Sequence, residues 1–277
     1  MSGSGPVSDK LTTLRIMRKK QKGERIACLT AYDYPSAVIL DQSGIDLILV
    51  GDSAANVVYG RPTTLSIGMD EMLYHTRAVT AAVKRALVVA DMPFLSYQVS
   101  VETAVANAGR FLQAGAEAVK VEGAGPIVPA IRRMVELGIP VMGHLGLTPQ
   151  SVHKLGGYRL QARKPDDQER LLADALALQD AGCFGVVIEK IPAEAALRVT
   201  RELAIPTIGI GAGPGCDGQV LVLHDMLGLP EPSSLKFVKQ YAGLGAAMRD
   251  AVRRYCEEVR SGRFPAEEHT FHTDAGR

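Results

Sequence analysis

Short, continuous apolar runs alternate along the chain with segments of helical periodicity. The runs are IACLTAYD (26–33), DLILVGDS (46–53), ALVVADMPF (86–94), AEAVKVEG (116–123), IPVMGHLG (139–146), FGVVIEKI (184–191), IPTIGIGAG (205–213) and LVLHDMLG (221–228). They are rich in β-branched residues and Leu and do not alternate with polar positions, as strands buried on both faces of a parallel sheet require. Helical patterns separate them: YPSAVILDQSG closing on Gly44, MDEMLYHTRAVTAAVKRA with acids in its first turn, SVETAVANAGRFLQAGA opened by Ser100, GPIVPAIRRMVELG, DDQERLLADALALQDAG, and PAEAALRVTRELA with Pro192 at its start.

Eight strands alternating with helices over about 250 residues predict a (β/α)8 barrel. An open doubly wound sheet is the alternative, but the early strand-to-helix turns carry no G-x-G-x-x-G. KLTTLRIMRKKQKG (10–23) predicts an extra helix before the first strand, and the segment from Ser233 to Pro265 predicts one or two amphipathic C-terminal helices. The expected organisation is a disordered lead-in over 1–8, one barrel domain over 9–265 and a flexible tail over 266–277. Two connections exceed the usual length, 54–68 and 147–165, and both leave C-terminal strand ends, where barrels keep their active-site loops. The longer, 147–165, is a candidate lid.

Composition narrows the class without changing the fold. Hydrophobic residues make up 47% and charged residues 22% of the 277, and the formal net charge is +1. That balance supplies no bulk field for nucleic acid or an anionic membrane, and no apolar run reaches the length of a membrane span. MSGSGPVSDK lacks the basic and apolar regions of a secretory signal. Cys28, Cys183, Cys216 and Cys256 are scattered without C-x-x-C spacing, which predicts reduced thiols in the cytoplasm.

The chemistry is written at the ends of the runs. Asp33, Asp52 with Ser53, Asp91, Lys120 with Glu122, His144 and Glu189 close six consecutive strands. In a barrel these ends converge on one mouth. Lys120 and Glu122 stand two apart, so both point to one face of their strand; buried ions at that depth need partners or a metal. Asp52, Asp91 and Glu122 offer oxygen-only ligation, which suits Mg2+ first and Mn2+ second; zinc would want further His or Cys at motif spacing. An α-keto acid could chelate such an ion, with Lys120 beside its carboxylate or a developing enolate oxygen. Glu189, preceded by FGVVI, suits a general base. Plainer readings stay open: a Lys120–Glu122 ion pair, and a surface turn at Glu189–Lys190. The run GIGAGPGCDG (209–218) admits a phosphate-binding turn or tight backbone packing.

LTAYDYPSA, LVGDSAANVVYG, DMPFLSYQ, AVKVEGA, GHLGLTPQSVHKLGGYRLQAR, VVIEKIP and TIGIGAGPGCDGQVLVLHDMLG, in this order, resemble the ketopantoate hydroxymethyltransferase family of pantothenate and coenzyme A biosynthesis. The resemblance implies a barrel of the phosphoenolpyruvate/pyruvate-binding type, with one Mg2+ per subunit held by Asp52, Asp91 and Glu122. It implies a ketoacid contact set of Asp52, Ser53, Asp91 and Lys120, Glu189 as proton acceptor, and His144 as a hydrogen-bonding residue of the site. The implied reaction is magnesium-assisted enolisation of ketoisovalerate and transfer of the one-carbon unit of 5,10-methylenetetrahydrofolate, giving 2-dehydropantoate and tetrahydrofolate. The implied assembly is a homo-oligomer, commonly a decamer. A lyase or mutase of the isocitrate lyase group is the nearest rival, although no cysteine here sits in a K-K-C-G-H loop. A non-catalytic scaffold barrel is the second.

Overall fold

A computed structural model describes residues 10–229 and 235–273. The expected lead-in over 1–8 lies outside them, as do the last four residues of the expected tail. The chain divides into two compact units, Met1–Leu223 and His224–Arg277. The C-terminal helix, placed with the barrel in the sequence expectation of one domain over 9–265, falls in the second unit.

In the first unit the order is α1 (Thr13–Gln21), β1 (Ile26–Thr30), α2 (Tyr34–Gln42), β2 (Leu47–Val50), α3 (Ala54–Val57), α4 (Met69–Thr80), β3 (Leu87–Asp91), α5 (Val101–Gln113), β4 (Ala118–Glu122), α6 (Val128–Glu136), β5 (Val141–Gly146), α7 (Pro165–Asp180), β6 (Gly185–Glu189), α8 (Ala193–Glu202), β7 (Thr207–Ile210) and β8 (Gly218–Leu221). The eight strands close a barrel in sequence order, each pairing in parallel with the next and β8 with β1. Helix starts follow local chemistry. Thr12, Asp33 and Ser100 each accept a backbone N–H of the first turn. Asp33 is thereby spent as a cap and does not enter the mouth.

Successive strand residues face opposite ways, so alternate positions fill the barrel. At the N-terminal end these are Ile26, Cys28, Leu47, Leu49, Leu87, Val89, Ala118, Met142, Val187, Ile208 and Val220, and Ile16 of α1 joins the same cluster. Continuing the same phase two residues further along β3 leads from Val89 to Asp91. In β4 it leads from Ala118 to Lys120 and Glu122, in β5 from Met142 to His144, and in β6 from Val187 to Glu189. The apolar floor and the charged mouth are one inward-facing column read at two heights.

Two details depart from the sequence reading. The eighth strand is Gly218–Leu221, and most of the run taken for it, 221–228, is helix α9 (Leu223–Leu227). Pairing with β1 ends at Leu29↔Leu221, because β1 itself stops at Thr30. Beyond that point the apolar run has no ladder to join, and the Leu223 N–H goes instead to Thr30 Oγ1. The seventh connection, residues 211–217, also holds no helix. It makes the parallel crossover by close packing. Gly211 and Gly213 take φ +62° and +75°, and a Cβ on Gly213 would stand 2.5 Å from that of Ala193. Packing against Ala193 calls for glycine at 213, and the left-handed φ favours it at 211.

In the second unit α10 (Leu244–Arg260) is the single long helix among the described residues. Its Leu244, Met248, Val252, Tyr255 and Val259 form an exposed apolar stripe. Among the described residues no helix is long and apolar enough to cross a membrane.

Candidate active site

β3, β4 and β5 deliver the centre of the site through their register, which sets Asp91 opposite Lys120 and Glu122 opposite His144. Asp52 arrives just past β2, where Gly51 lets the chain turn inward: a Cβ on Gly51 would come within 2.7 Å of Ser53 Oγ. The Asp52 N–H donates to Asp91 Oδ2 at 3.1 Å. Asp52, Asp91, Lys120, Glu122 and His144 are each only 3–7% exposed, so none is a solvated ion.

Their contacts form one chain. Lys120 Nζ lies 3.0 Å from Asp91 Oδ1 and 4.0 Å from Glu122 Oε1. The nearer partner is Asp91, so a simple Lys120–Glu122 pair does not describe the lysine. His144 bridges two acids, with Nδ1 3.3 Å from Glu122 Oε1 and Nε2 3.2 Å from Glu189 Oε2. Glu189 therefore faces inward rather than forming a surface turn, while Lys190 turns away to the Tyr158 carbonyl. Ser53 stands beside this chain, sharing a 2.8 Å hydrogen bond with Tyr32 OH. The side chains of Asp91, Lys120, Glu122, His144 and Glu189 meet one another, whereas Asp52 reaches Asp91 through its backbone N–H and Ser53 bonds to Tyr32.

Asp91 Oδ1, Glu122 Oε1 and His144 Nε2 are buried, and each faces an opposite charge without a well-aligned hydrogen bond. The electrostatics reflect this crowding. Burial, then repulsion from Asp91 and Glu122, pushes the Asp52 carboxyl up to about 8. Burial also raises Asp91 against the pull of Lys120. Burial acts on Glu122 in the same sense, but His144, Lys120 and the Gln150 N–H outweigh it and hold this carboxyl below its ordinary value. Burial and Lys120 disfavour a charged His144, yet Glu122 and Glu189 raise it to about 9. The two acids thus favour the charged imidazole, while Lys120 Nζ, 3.4 Å from Nδ1, opposes it.

Two residues of the site were missed by sequence reasoning. Gln150, in the 3-10 turn Pro149–Ser151, is buried against Asp52, Glu122 and the Met92 carbonyl. Tyr97 accepts the Glu122 N–H at 3.0 Å and donates to Gln150 Oε1 at 2.8 Å. Both are neutral and sit in loops, so neither charge nor periodicity announces them. They also bear on the candidate lid: Leu147, Gln150 and Val152 are buried, so 147–165 starts as a fixed wall of the site, and its exposed part begins at His153. The turn packs against Thr64–Ser66 of the other long connection.

Among the described residues, no three His, Cys, Asp or Glu side chains stand ready as a complete metal cage. The carboxylates are instead engaged with Lys120, His144 and Gln150.

The Pantoate_transf family model, ketopantoate hydroxymethyltransferase, matches residues 10–267. The 3-methyl-2-oxobutanoate hydroxymethyltransferase of Pelobacter propionicus is 58% identical over 263 residues, covering 95% of this chain and 97% of the relative. That of Geobacter sulfurreducens is 56% identical over 261 residues, covering 94% and 98%. Among solved structures, the fold is similar to phosphonopyruvate hydrolase in complex with oxalate and Mg++ (TM-score 0.60, 14% identity, 94% and 93% covered). It is also similar to 2,3-dimethylmalate lyase of the PEP mutase/isocitrate lyase superfamily (TM-score 0.58, 18% identity, 96% and 92% covered). Those two likenesses speak to the barrel alone, whereas the sequence matches run along nearly the whole chain at more than half identity, and on them the chain belongs to the ketopantoate hydroxymethyltransferase family and is a transferase.

Proposed function

We propose that the protein transfers a hydroxymethyl group from 5,10-methylenetetrahydrofolate to 3-methyl-2-oxobutanoate (ketoisovalerate), giving 2-dehydropantoate and tetrahydrofolate. The observation that carries this reading is the unbroken contact chain Asp91–Lys120–Glu122–His144–Glu189 at the barrel mouth. It sets a buried cation, a cluster of carboxylates and an inward-facing acid around one space.

The donor set fits Mg2+. Three carboxylates are packed closely enough to repel one another, and Asp91 Oδ1 and Glu122 Oε1 are buried without an aligned donor. Mg2+ is ordinarily held by one or two carboxylates, with water and substrate oxygens completing the shell, so an incomplete protein cage suits it. Asp52 and Asp91 would hold it directly and Glu122 directly or through water. When bound, the ion withdraws electron density from the ketoacid and acidifies its C3–H.

The side chains do the rest. Lys120 faces the substrate carboxylate or the enolate oxygen, and Asp52, Ser53 and Asp91 complete the ketoacid contacts. His144 Nε2, 3.2 Å from Glu189 Oε2, orients that carboxylate toward the ketoacid for the role of base. Glu189 takes the C3 proton, and C3 bonds to the methylene carbon of the folate. Both carbon–nitrogen bonds to that carbon break, one replaced by the bond to C3 and the other by the bond to a hydroxyl supplied by water. The one proton the water releases and the one taken from C3 end on the two folate nitrogens, which gives tetrahydrofolate and returns Glu189 to its starting form. The same reading includes a cytoplasmic homodecamer, on the family resemblance; the exposed apolar stripe of α10 supports self-association.

The test is incubation with Mg2+, ketoisovalerate and methylenetetrahydrofolate, following 2-dehydropantoate, with isocitrate in a parallel reaction. Product from the first pair alone is expected. Cleavage of isocitrate, or no reaction in either arm, rejects the assignment.

A further inference from the structure

Gln150 makes more hydrogen bonds than any other side chain of the mouth, and it carries no charge. Its amide donates both hydrogens, to Asp52 Oδ2 at 2.9 Å and to the Met92 carbonyl at 2.9 Å. Its Oε1 accepts from Tyr97 OH at 2.8 Å and Gln98 Nε2 at 3.2 Å. Its backbone N–H donates to Glu122 Oε2 at 2.9 Å. The orientation is forced, since a carbonyl and a carboxylate can only accept. The residue is 6% exposed, so no water replaces a lost partner cheaply.

Gln150 therefore occupies one oxygen of each of two carboxylates that come from different strands, and leaves the second oxygen of each for other work. At Glu122 that second oxygen is Oε1, which lies 3.3 Å from His144 Nδ1 and has no aligned donor. Tyr97 fixes the arrangement from behind, bonding both Gln150 Oε1 and the Glu122 N–H.

We propose that Gln150 is a positioning residue, which aims Asp52 and Glu122 so that one oxygen of each faces a divalent cation bound with an α-keto acid. The proposal rests on the magnesium reading given above. Groups that hold metal ligands in place typically account for about 10- to 100-fold in metal affinity.

The test compares the wild-type full chain with Gln150→Met, which keeps shape but no donor, and Tyr97→Phe, which removes a single hydroxyl. Calorimetric titration of the metal-free proteins with Mn2+ reads binding without turnover. Gln150→Met should bind about 10- to 100-fold more weakly, and Tyr97→Phe should weaken binding several-fold in the same direction. In the hydroxymethyl transfer assay, Gln150→Met should need correspondingly more Mg2+ but recover a near-wild-type kcat at saturation. Wild-type Mn2+ affinity in Gln150→Met overturns the role, whatever its melting temperature. So does a kcat that stays low at saturating Mg2+, which would put Gln150 on the substrate. If Gln150→Met does not fold, Tyr97→Phe decides, and unchanged Mn2+ affinity there counts against the proposal. A wild-type protein that binds no Mn2+ with or without ketoisovalerate fails at the earlier step, the magnesium reading, and that arm is read independently of the variants.

Discussion

His144 holds Glu189 through Nε2 at 3.2 Å while its other nitrogen faces Glu122 Oε1 at 3.3 Å. One imidazole thus ties the side of the mouth that would hold the cation to the side that would take the proton. The expected consequence falls on Glu189. Glu189→Gln keeps the shape and the neighbour but cannot accept a proton. It should abolish exchange of the ketoisovalerate C3 proton with solvent deuterium, followed by NMR, and lower kcat by at least about 10²-fold, while ketoacid binding by calorimetry survives. Exchange at the wild-type rate would remove Glu189 from the role of base.

Lys120 is the buried positive charge on which three carboxylates lean. Breaking a buried pair by removing one partner costs about 3–5 kcal/mol, because the other charge is left uncompensated. Lys120→Met should therefore melt well below wild type and lose most of its activity. Adding Asp91→Asn removes the stranded charge, so the double variant should be more stable than Lys120→Met alone. Strict additivity of the two losses in thermal melts would mean that the pair is not coupled.

The legible part of this site was its charge. Asp91, Lys120, Glu122, His144 and Glu189 stand at the ends of apolar strands, and a parallel barrel leaves such ends only one place to go. Their phase was also readable, since Lys120 and Glu122 share a face by spacing alone. Gln150 and Tyr97 were not readable, because their role comes from loops folding back over the strand ends, and nothing local distinguishes them from solvated loop residues. The eighth strand was misplaced for a related reason. Gly218–Leu221 and 221–228 are both plausible apolar segments, and it is the register with β1 and β7, Ile26↔Gly218 and Ile208↔Gly218, that makes the first of them the strand.

The protonation of the cation-free mouth has a sign that can be measured. Asp52 is raised from 3.8 to about 8, so between those values the folded chain holds a proton that the unfolded chain releases. His144 is raised from 6.5 to about 9, so its contribution is complete below 6.5 and lost as pH rises through 9. In both cases the folded state binds more protons, and stability falls with rising pH. Glu122 has the opposite sign, but its lowered carboxyl acts only below its ordinary value of 4.5. The melting temperature in EDTA should accordingly drop from pH 6 to pH 9. Mg2+ should flatten that slope, because a cation favours the ionised carboxylates. A melting temperature that is level or rising over this range without metal would contradict the crowded-carboxylate picture.

Gly146 tests how far the position of Glu189 depends on backbone packing. It closes β5 at φ +89° and pairs with Glu189 in the ladder, while the Leu147 N–H donates to the Glu189 carbonyl at 2.8 Å. A Cβ on Gly146 would overlap that carbonyl oxygen and stand 2.8 Å from Ile191 Cγ2. Gly146→Ala therefore combines a left-handed backbone penalty of about 1–2 kcal/mol with a clash against β6 itself. The clash can be relieved only by moving β6 away, which carries the Glu189 carboxylate off His144. Gly138→Ala is the control: φ is +83°, but nothing lies within 4 Å of the added Cβ, and the residue is remote from the mouth at the end of α6. It should lose about 1–2 kcal/mol and keep wild-type kcat. Gly146→Ala should lose more stability and also about 10²-fold in kcat, the usual result of a misplacement near 1 Å. Equal kcat in the two variants would show that the base tolerates a shift of its strand.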